Sequence, residues 1–320
     1  MYDTHFHIFC RRHIDASIHF GRREFSSALW PVVDILAKCE KLNDALEAVD
    51  RIVDHLPVGV DISGALDVVR LFYMDPYDQL SYITSEWRKL GILGGFVLIP
   101  AIGDYRRATR EIAAAAHAFP EVRVFAPWDC SDIPGVSGIK LYPGLEGYDR
   151  VQKACIEAEA RQMPIIAHCS PGGIRAAGVS LSAAEARNRP WWHSEALNAG
   201  MRLHVVLAHA GGRQSFVHNT IVGKETAIDR ILRDTMPGLS EYPGSWVGVD
   251  TAYHESQDAE DYRLALSRLP AWYTGRVLIG SDWPLHLAEY SYQTWADTTR
   301  RAWAGWDQDF SLAVQSFLSF

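Results

Sequence analysis

"RLHVVLAHAGG" runs from Arg202 to Gly212. It is a short, nearly unbroken apolar run, closed by a histidine and paired glycines. Half-exposed strands alternate apolar and polar residues, whereas unbroken apolar runs suit parallel strands buried on both faces. Similar runs recur at Tyr2–Phe9, Gly94–Ala101, Val122–Asp129, Ser137–Gly144, Met163–Ser170, Ser245–His254 and Gly275–Pro284. With the first they make eight strand candidates, most followed by a helical pattern. Eight βα units in a chain of 320 residues predict an α/β fold, a distorted (β/α)8 TIM barrel. The competing doubly wound sheet lacks its signature, since no G-x-G-x-x-G follows a strand.

The strands are unevenly spaced. Between the first two, Leu29–Leu56 reads as amphipathic helix with apolar positions about 3.6 residues apart. Asp75–Gly91 reads as the first outer helix of the barrel, with Asp75 as N-cap before Pro76. Residues 10–74 are therefore expected to form a helical insertion after strand 1, over the barrel mouth. Shorter insertions are expected at Pro171–Gly200 and Gly211–Gly244. All three follow strand C-termini, the side on which such barrels carry chemistry. With no linker and no repeat, the whole of 1–320 is read as one domain.

Composition narrows the function. There are 31 Lys and Arg against 39 Asp and Glu, and no basic stretch, so no nucleic-acid partner is expected. No stretch is apolar and long enough to span a membrane. Five cysteines, an odd number with no C-x-x-C, suit a reducing compartment. The expected location is the cytoplasm. The 11 tryptophans read as core packing. No G-x-S-x-G elbow and no Walker lysine pattern occur.

The polar residues of the strand runs fall mostly near the strand ends. His5 and His7, in "YDTHFHIF" (Tyr2–Phe9), share one face of strand 1, because residues i and i+2 point the same way. Lys140 lies in strand 4. His168, His209 and Asp282 end strands 5, 6 and 8. In a parallel barrel these ends converge on one face. Charge there is costly unless paired or bound to metal. Imidazoles with a carboxylate suit zinc and similar ions.

The ordered motifs "THFH" (4–7), "GIKLYP" (138–143), "IIAHCSPGG" (165–173), "VVLAHAGG" (205–212) and "IGSDWP" (279–284) resemble the amidohydrolase superfamily, in particular the amidohydrolase 2 branch. That branch includes aminocarboxymuconate semialdehyde decarboxylases, resorcylate-type decarboxylases and dicarboxylate lactonases. The resemblance spans the barrel but not the 10–74 insertion. It implies that His5, His7, His168 and Asp282 hold one divalent metal, zinc first, with manganese or iron as alternatives. It also implies that Asp282 takes a proton from water, while His209 polarises a carbonyl or shuttles a proton. Lys140 has three readings: a carboxylated bridge between two metals, a free ammonium that binds a substrate carboxylate, or a packed strand residue. The reading adopted is one metal with Lys140 free.

Other residues are weaker candidates. Arg175 in "SPGGIR" is placed to meet an anionic substrate, or is a plain surface arginine. Tyr253 and His254 in "DTAYH" end strand 7 near the mouth, and Trp283 follows Asp282; all three are read as substrate contacts. Asp3 is either a partner for a ligand imidazole or a strand-start cap. Cys169 is read as a structural thiol. Arg11, Arg12 and His13 are placed to meet an acidic substrate, though solvated loop charge is the default. His193 reads as a surface helix residue.

The expected activity is metal-dependent hydrolysis of an amide, lactone or related ester in a small carboxylated molecule, using a metal-activated water. The alternative is non-oxidative decarboxylation of a small aromatic or unsaturated acid. A small-molecule substrate and a homodimer are the expected partners.

Overall fold

The computed structural model describes residues 1–10, 39, 41–52, 62–169, 179–188, 196, 199–209, 244–252, 275–284, 291–304 and 307–320. Eight parallel strands pair in chain order: β1 Asp3–His7, β2 Gly95–Leu98, β3 Val122–Ala126, β4 Val136–Leu141, β5 Ile165–His168, β6 His204–Ala208, β7 Trp246–Asp250 and β8 Val277–Leu278. A parallel bridge between Phe6 and Trp283 brings the last strand back to the first. Thr4 N donates to Ile279 O at 2.7 Å and His7 N to Trp283 O at 2.6 Å along the same seam. The barrel expected from the apolar runs is the fold observed; each predicted run contains its strand except the fourth, where β4 begins one residue earlier, at Val136.

The helices among the described residues are α1 Leu42–Ile52, α2 Ile62–Tyr73, α3 Pro76–Leu90, α4 Tyr105–Ala116, α5 Pro143–Glu146, α6 Tyr148–Arg161, α7 Leu181–Asn188, α8 Tyr292–Ala302 and α9 Asp307–Leu318. Helix α3 has the expected limits. The Asp75 side chain accepts from Asp78 N, Pro76 opens the first turn, and Gly91 closes the helix at φ 62. That left-handed value favours glycine. The Leu29–Leu56 pattern appears as α1, and its remaining residues lie outside those described, Cys39 and Lys41 excepted. Helices α1 and α2 bury Ala45, Val49, Val68, Val69 and Phe72 together with Phe9, just beyond the end of β1.

Strand alternation divides the core in two. Val97, Val124, Ile139, Ile165, Val205, Val247 and Val277 face the outer helices in one cluster with Leu80, Ile83 and Trp87. Phe96, Phe125, Ile166, Val206, Trp246 and Leu278 face the barrel axis. There α9 closes the N-terminal end, with Phe317 ringed by Phe96, Phe125 and Trp246 at 6.0, 5.9 and 5.4 Å between centroids. The interior is packed tightly enough that a Cβ at Gly138 would enter the Phe125 ring. With that end filled, the opposite end is left for polar side chains. None of the five cysteines is disulfide-bonded. Among the described residues, no helix is long and apolar enough to cross a membrane.

Candidate metal centre

Inward parity on four of the strands delivers polar residues to the C-terminal end of the barrel. His5 and His7 come from β1, Lys140 from β4, His168 from β5 and Asp250 from β7. His209 and Asp282 follow β6 and β8 directly. All seven are buried. Both His209 and Asp282 adopt φ 60, a left-handed conformation that is uncommon away from glycine and clusters at functional sites.

One donor atom each from His5, His7 and Asp282 lies within 4.8 Å of the others. The tautomers of the two imidazoles follow from their outer bonds. His5 Nδ1 lies 2.7 Å from Asp250 Oδ2, and His7 Nδ1 lies 2.8 Å from Leu98 O. A carboxylate and a carbonyl only accept, so each Nδ1 carries the hydrogen and each Nε2 turns a lone pair inward. Those lone pairs face Asp282 Oδ1 at 3.5 Å from His5 and 3.2 Å from His7. Among the described residues, the buried His5 Nε2 and Asp282 Oδ1 have no hydrogen-bond partner. Three acceptors this close repel one another unless a cation, proton or metal, sits between them. An imidazole–imidazole–carboxylate set held by outer hydrogen bonds fits a divalent metal such as zinc.

His209 adjoins this set. Its ring centroid is 4.8 Å from that of His5 and 4.9 Å from that of His168. Its backbone N–H donates to Asp250 Oδ1 at 2.8 Å, and its Nδ1 lies 3.3 Å from Ala252 O. Again Nε2 is left as the acceptor. Burial pulls the His209 pKa down to about 4, so the ring is neutral at pH 7. This tautomer can receive a proton. It can donate to a carbonyl oxygen only after doing so. His168 stands one ring farther out than expected of a ligand. It meets His209 edge-on and stacks on Tyr142 at 5.5 Å, and it is not in the tight donor set.

The carboxylates behave differently from ordinary surface groups. Burial opposes ionisation of Asp282, but the surrounding imidazoles of His7, His209 and His5 more than offset it and hold its carboxyl well below the usual range. Burial likewise opposes ionisation of Asp250, and the His5 ring and the His209 N–H bring its pKa to about 2. Lys140 lies across the site, fully buried. Among the described residues its Nζ has no hydrogen-bond partner, and it stands 4.8 Å over the Tyr142 ring. Burial lowers its pKa to about 8, against the pull of Asp250 and Asp282.

The fold is similar to that of solved amidohydrolase-type structures. An amidohydrolase from Burkholderia multivorans with bound zinc is 15% identical over 80% of this chain and 91% of its own, with a TM-score of 0.52. A probable 2-pyrone-4,6-dicarboxylic acid hydrolase from Acinetobacter baumannii with bound citric acid is 13% identical over 75% and 89%, with a TM-score of 0.50. At these identities the likeness concerns architecture. No family model matches the sequence, and no curated protein does.

Not every expected contact is brought to the site. Trp283 was expected beside substrate. Its ring instead packs fully buried in the outer apolar layer, with Phe6 at 6.5 Å and Tyr82 at 6.3 Å. The reason is alternation: Asp282 points inward, so its neighbour points out.

 Asp3 does not bond a ligand imidazole ring; its carboxylate binds Ser281 and Tyr292. Arg175, Tyr253 and His254 lie outside the described residues, as do Arg11, Arg12, His13 and His193. Two residues were missed by the sequence reading. Asp250 ends β7 as the ligand candidates end their strands, and Tyr142 shares the inward parity of Lys140; both signals were available.

Proposed function

We propose that the protein is a metal-dependent hydrolase with one divalent ion, zinc first, acting on an amide, lactone or related ester of a small carboxylated molecule. The observation that carries this reading is the trio of acceptors on His5, His7 and Asp282, with both imidazole tautomers set by outer partners. His209 adjoins His5, and His168 adjoins His209, with ring centroids 4.8 and 4.9 Å apart. When bound, the metal would supply Lewis-acid polarisation of the scissile carbonyl and would acidify water.

The chain's own residues account for the rest. Asp282, ionised at neutral pH, receives the proton of the attacking water. His209, neutral and with Nε2 as acceptor, takes that proton on and delivers it to the leaving amine or alkoxide as the C–N or C–O bond breaks. Lys140 binds the substrate carboxylate. Two buried carboxylates, Asp250 and Asp282, balance a divalent cation and leave the charge of Lys140 over, which favours an anionic substrate.

Elemental analysis of the purified protein should find about one zinc per chain, lost in the His5→Ala and His7→Ala variants. A panel of lactones and amides of small acids, set beside hydroxybenzoates and muconate-like acids, tests the reaction. Hydrolysis with oxygen from labelled water is the expected result. Release of CO2 without incorporation of water oxygen would overturn it in favour of decarboxylation.

A further inference from the structure

Asp3 takes no part in the proposed chemistry, yet it is fully buried. Its Oδ1 accepts from Ser281 N at 2.9 Å and, at 3.4 Å, from His5 N. Its Oδ2 accepts from Ser281 Oγ and from the Tyr292 hydroxyl, both at 2.7 Å. Tyr292 in turn accepts from Trp87 Nε1 at 2.8 Å. All the donors that reach Asp3 among the described residues are neutral. A buried carboxylate held only by neutral donors is a costly way to tie a loop.

The loop that it ties carries Asp282. Ser281 Oγ, oriented by Asp3, accepts from Trp283 N at 3.0 Å, and Asp282 N donates to His5 O at 2.7 Å. Three successive amides, of residues 281, 282 and 283, are thus held by β1 or by a hydroxyl that β1 orients. Such over-determination is what keeps a non-glycine residue at φ 60. Asp3 and His5 belong to the same strand, so one strand supplies two donor imidazoles and also fixes the facing carboxylate.

We propose that Asp3 is a positioning residue for the metal centre: through Ser281 it sets the Asp282 carboxylate against His5 and His7, so that β1 and the end of β8 present their donors as one rigid unit. This rests on Asp282 being a ligand.

The test uses the full chain, freed of metal and loaded with cobalt(II), in wild type, Asp3→Asn, Ser281→Ala and Tyr292→Phe. Cobalt affinity is read by chelator competition, site geometry by the visible d–d spectrum, and folding by circular dichroism and urea denaturation. Asp3→Asn and Ser281→Ala should weaken cobalt binding about ten- to a hundredfold and alter the d–d bands while the fold persists. Tyr292→Phe should act in the same direction and less. If Asp3→Asn fails to fold, the other two variants decide. Unchanged affinity and spectrum in the folded variants would overturn the proposal alone, leaving Asp3 a stabiliser of the barrel seam. Wild-type protein that takes up no cobalt would overturn the metal reading, and this proposal with it.

Discussion

His5 Nδ1 and Asp250 Oδ2 stand 2.7 Å apart, linking the first strand of the barrel to the seventh, and both side chains are fully buried. Asp250 also accepts the His209 N–H through its other oxygen at 2.8 Å. One carboxylate therefore sets the tautomer of His5 and the place of a neighbouring imidazole. Asp250→Asn offers an amide that can donate as well as accept, so His5 is free to take the other tautomer. Zinc affinity should fall about ten- to a hundredfold, measured by chelator competition.

Lys140→Met removes a buried ammonium that has no hydrogen-bond partner among the described residues. A pKa lowered from 10.5 to about 8 corresponds to a penalty of about 3 kcal/mol. For a lowered base the penalty is complete below pH 8 and vanishes as pH rises toward 10.5. Metal-free Lys140→Met should therefore be more stable than wild type at pH 7, with the gain fading by pH 10.5, by urea denaturation. Its KM for a carboxylated substrate should rise about tenfold or more.

Acid should act on His209 in the metal-free protein. Its pKa falls from 6.5 to about 4, chiefly through burial. The unfolded chain binds this proton first, so the imidazole destabilises the fold progressively as pH drops across that range, by about 3 kcal/mol in all. Asp3 and Glu146, raised by burial to about 6 and about 7, push the opposite way in part of the same range. The difference in urea stability between wild type and His209→Asn isolates the imidazole. It should shrink in favour of wild type as pH rises from 4 to 6.5.

Gly280→Ala should harm the site more than the barrel. A Cβ at Gly280 would collide with His5 Cβ and come within 3.1 Å of Ala252 Cβ. Relief requires His5 to move. The expected cost is about 1–3 kcal/mol in thermal or urea denaturation, with zinc uptake reduced beyond what the lost stability explains.

Much of this protein is legible in its sequence. Helix α3 was readable from Asp75, Pro76 and Gly91, because capping is chemistry between near neighbours. The barrel was readable from unbroken apolar runs, because a strand covered on both faces has no polar side to show. Alternation put His5, His7 and Lys140 on the inner face. It could also have turned Trp283 outward.

What only the tertiary structure decided is which groups meet. The tautomer of His7 depends on Leu98 O, 91 residues away, and that of His5 on Asp250, 245 residues away. Asp3 has the parity of His5 and His7, but the β1–β2 register shifts between Asp3 and Phe6, and its carboxylate turns to Ser281 and Tyr292. Periodicity reports the environment of one strand, because it arises from the local backbone. The pairing of buried donors and acceptors arises when the barrel closes and strands remote in sequence become neighbours, so it has no local signature to read.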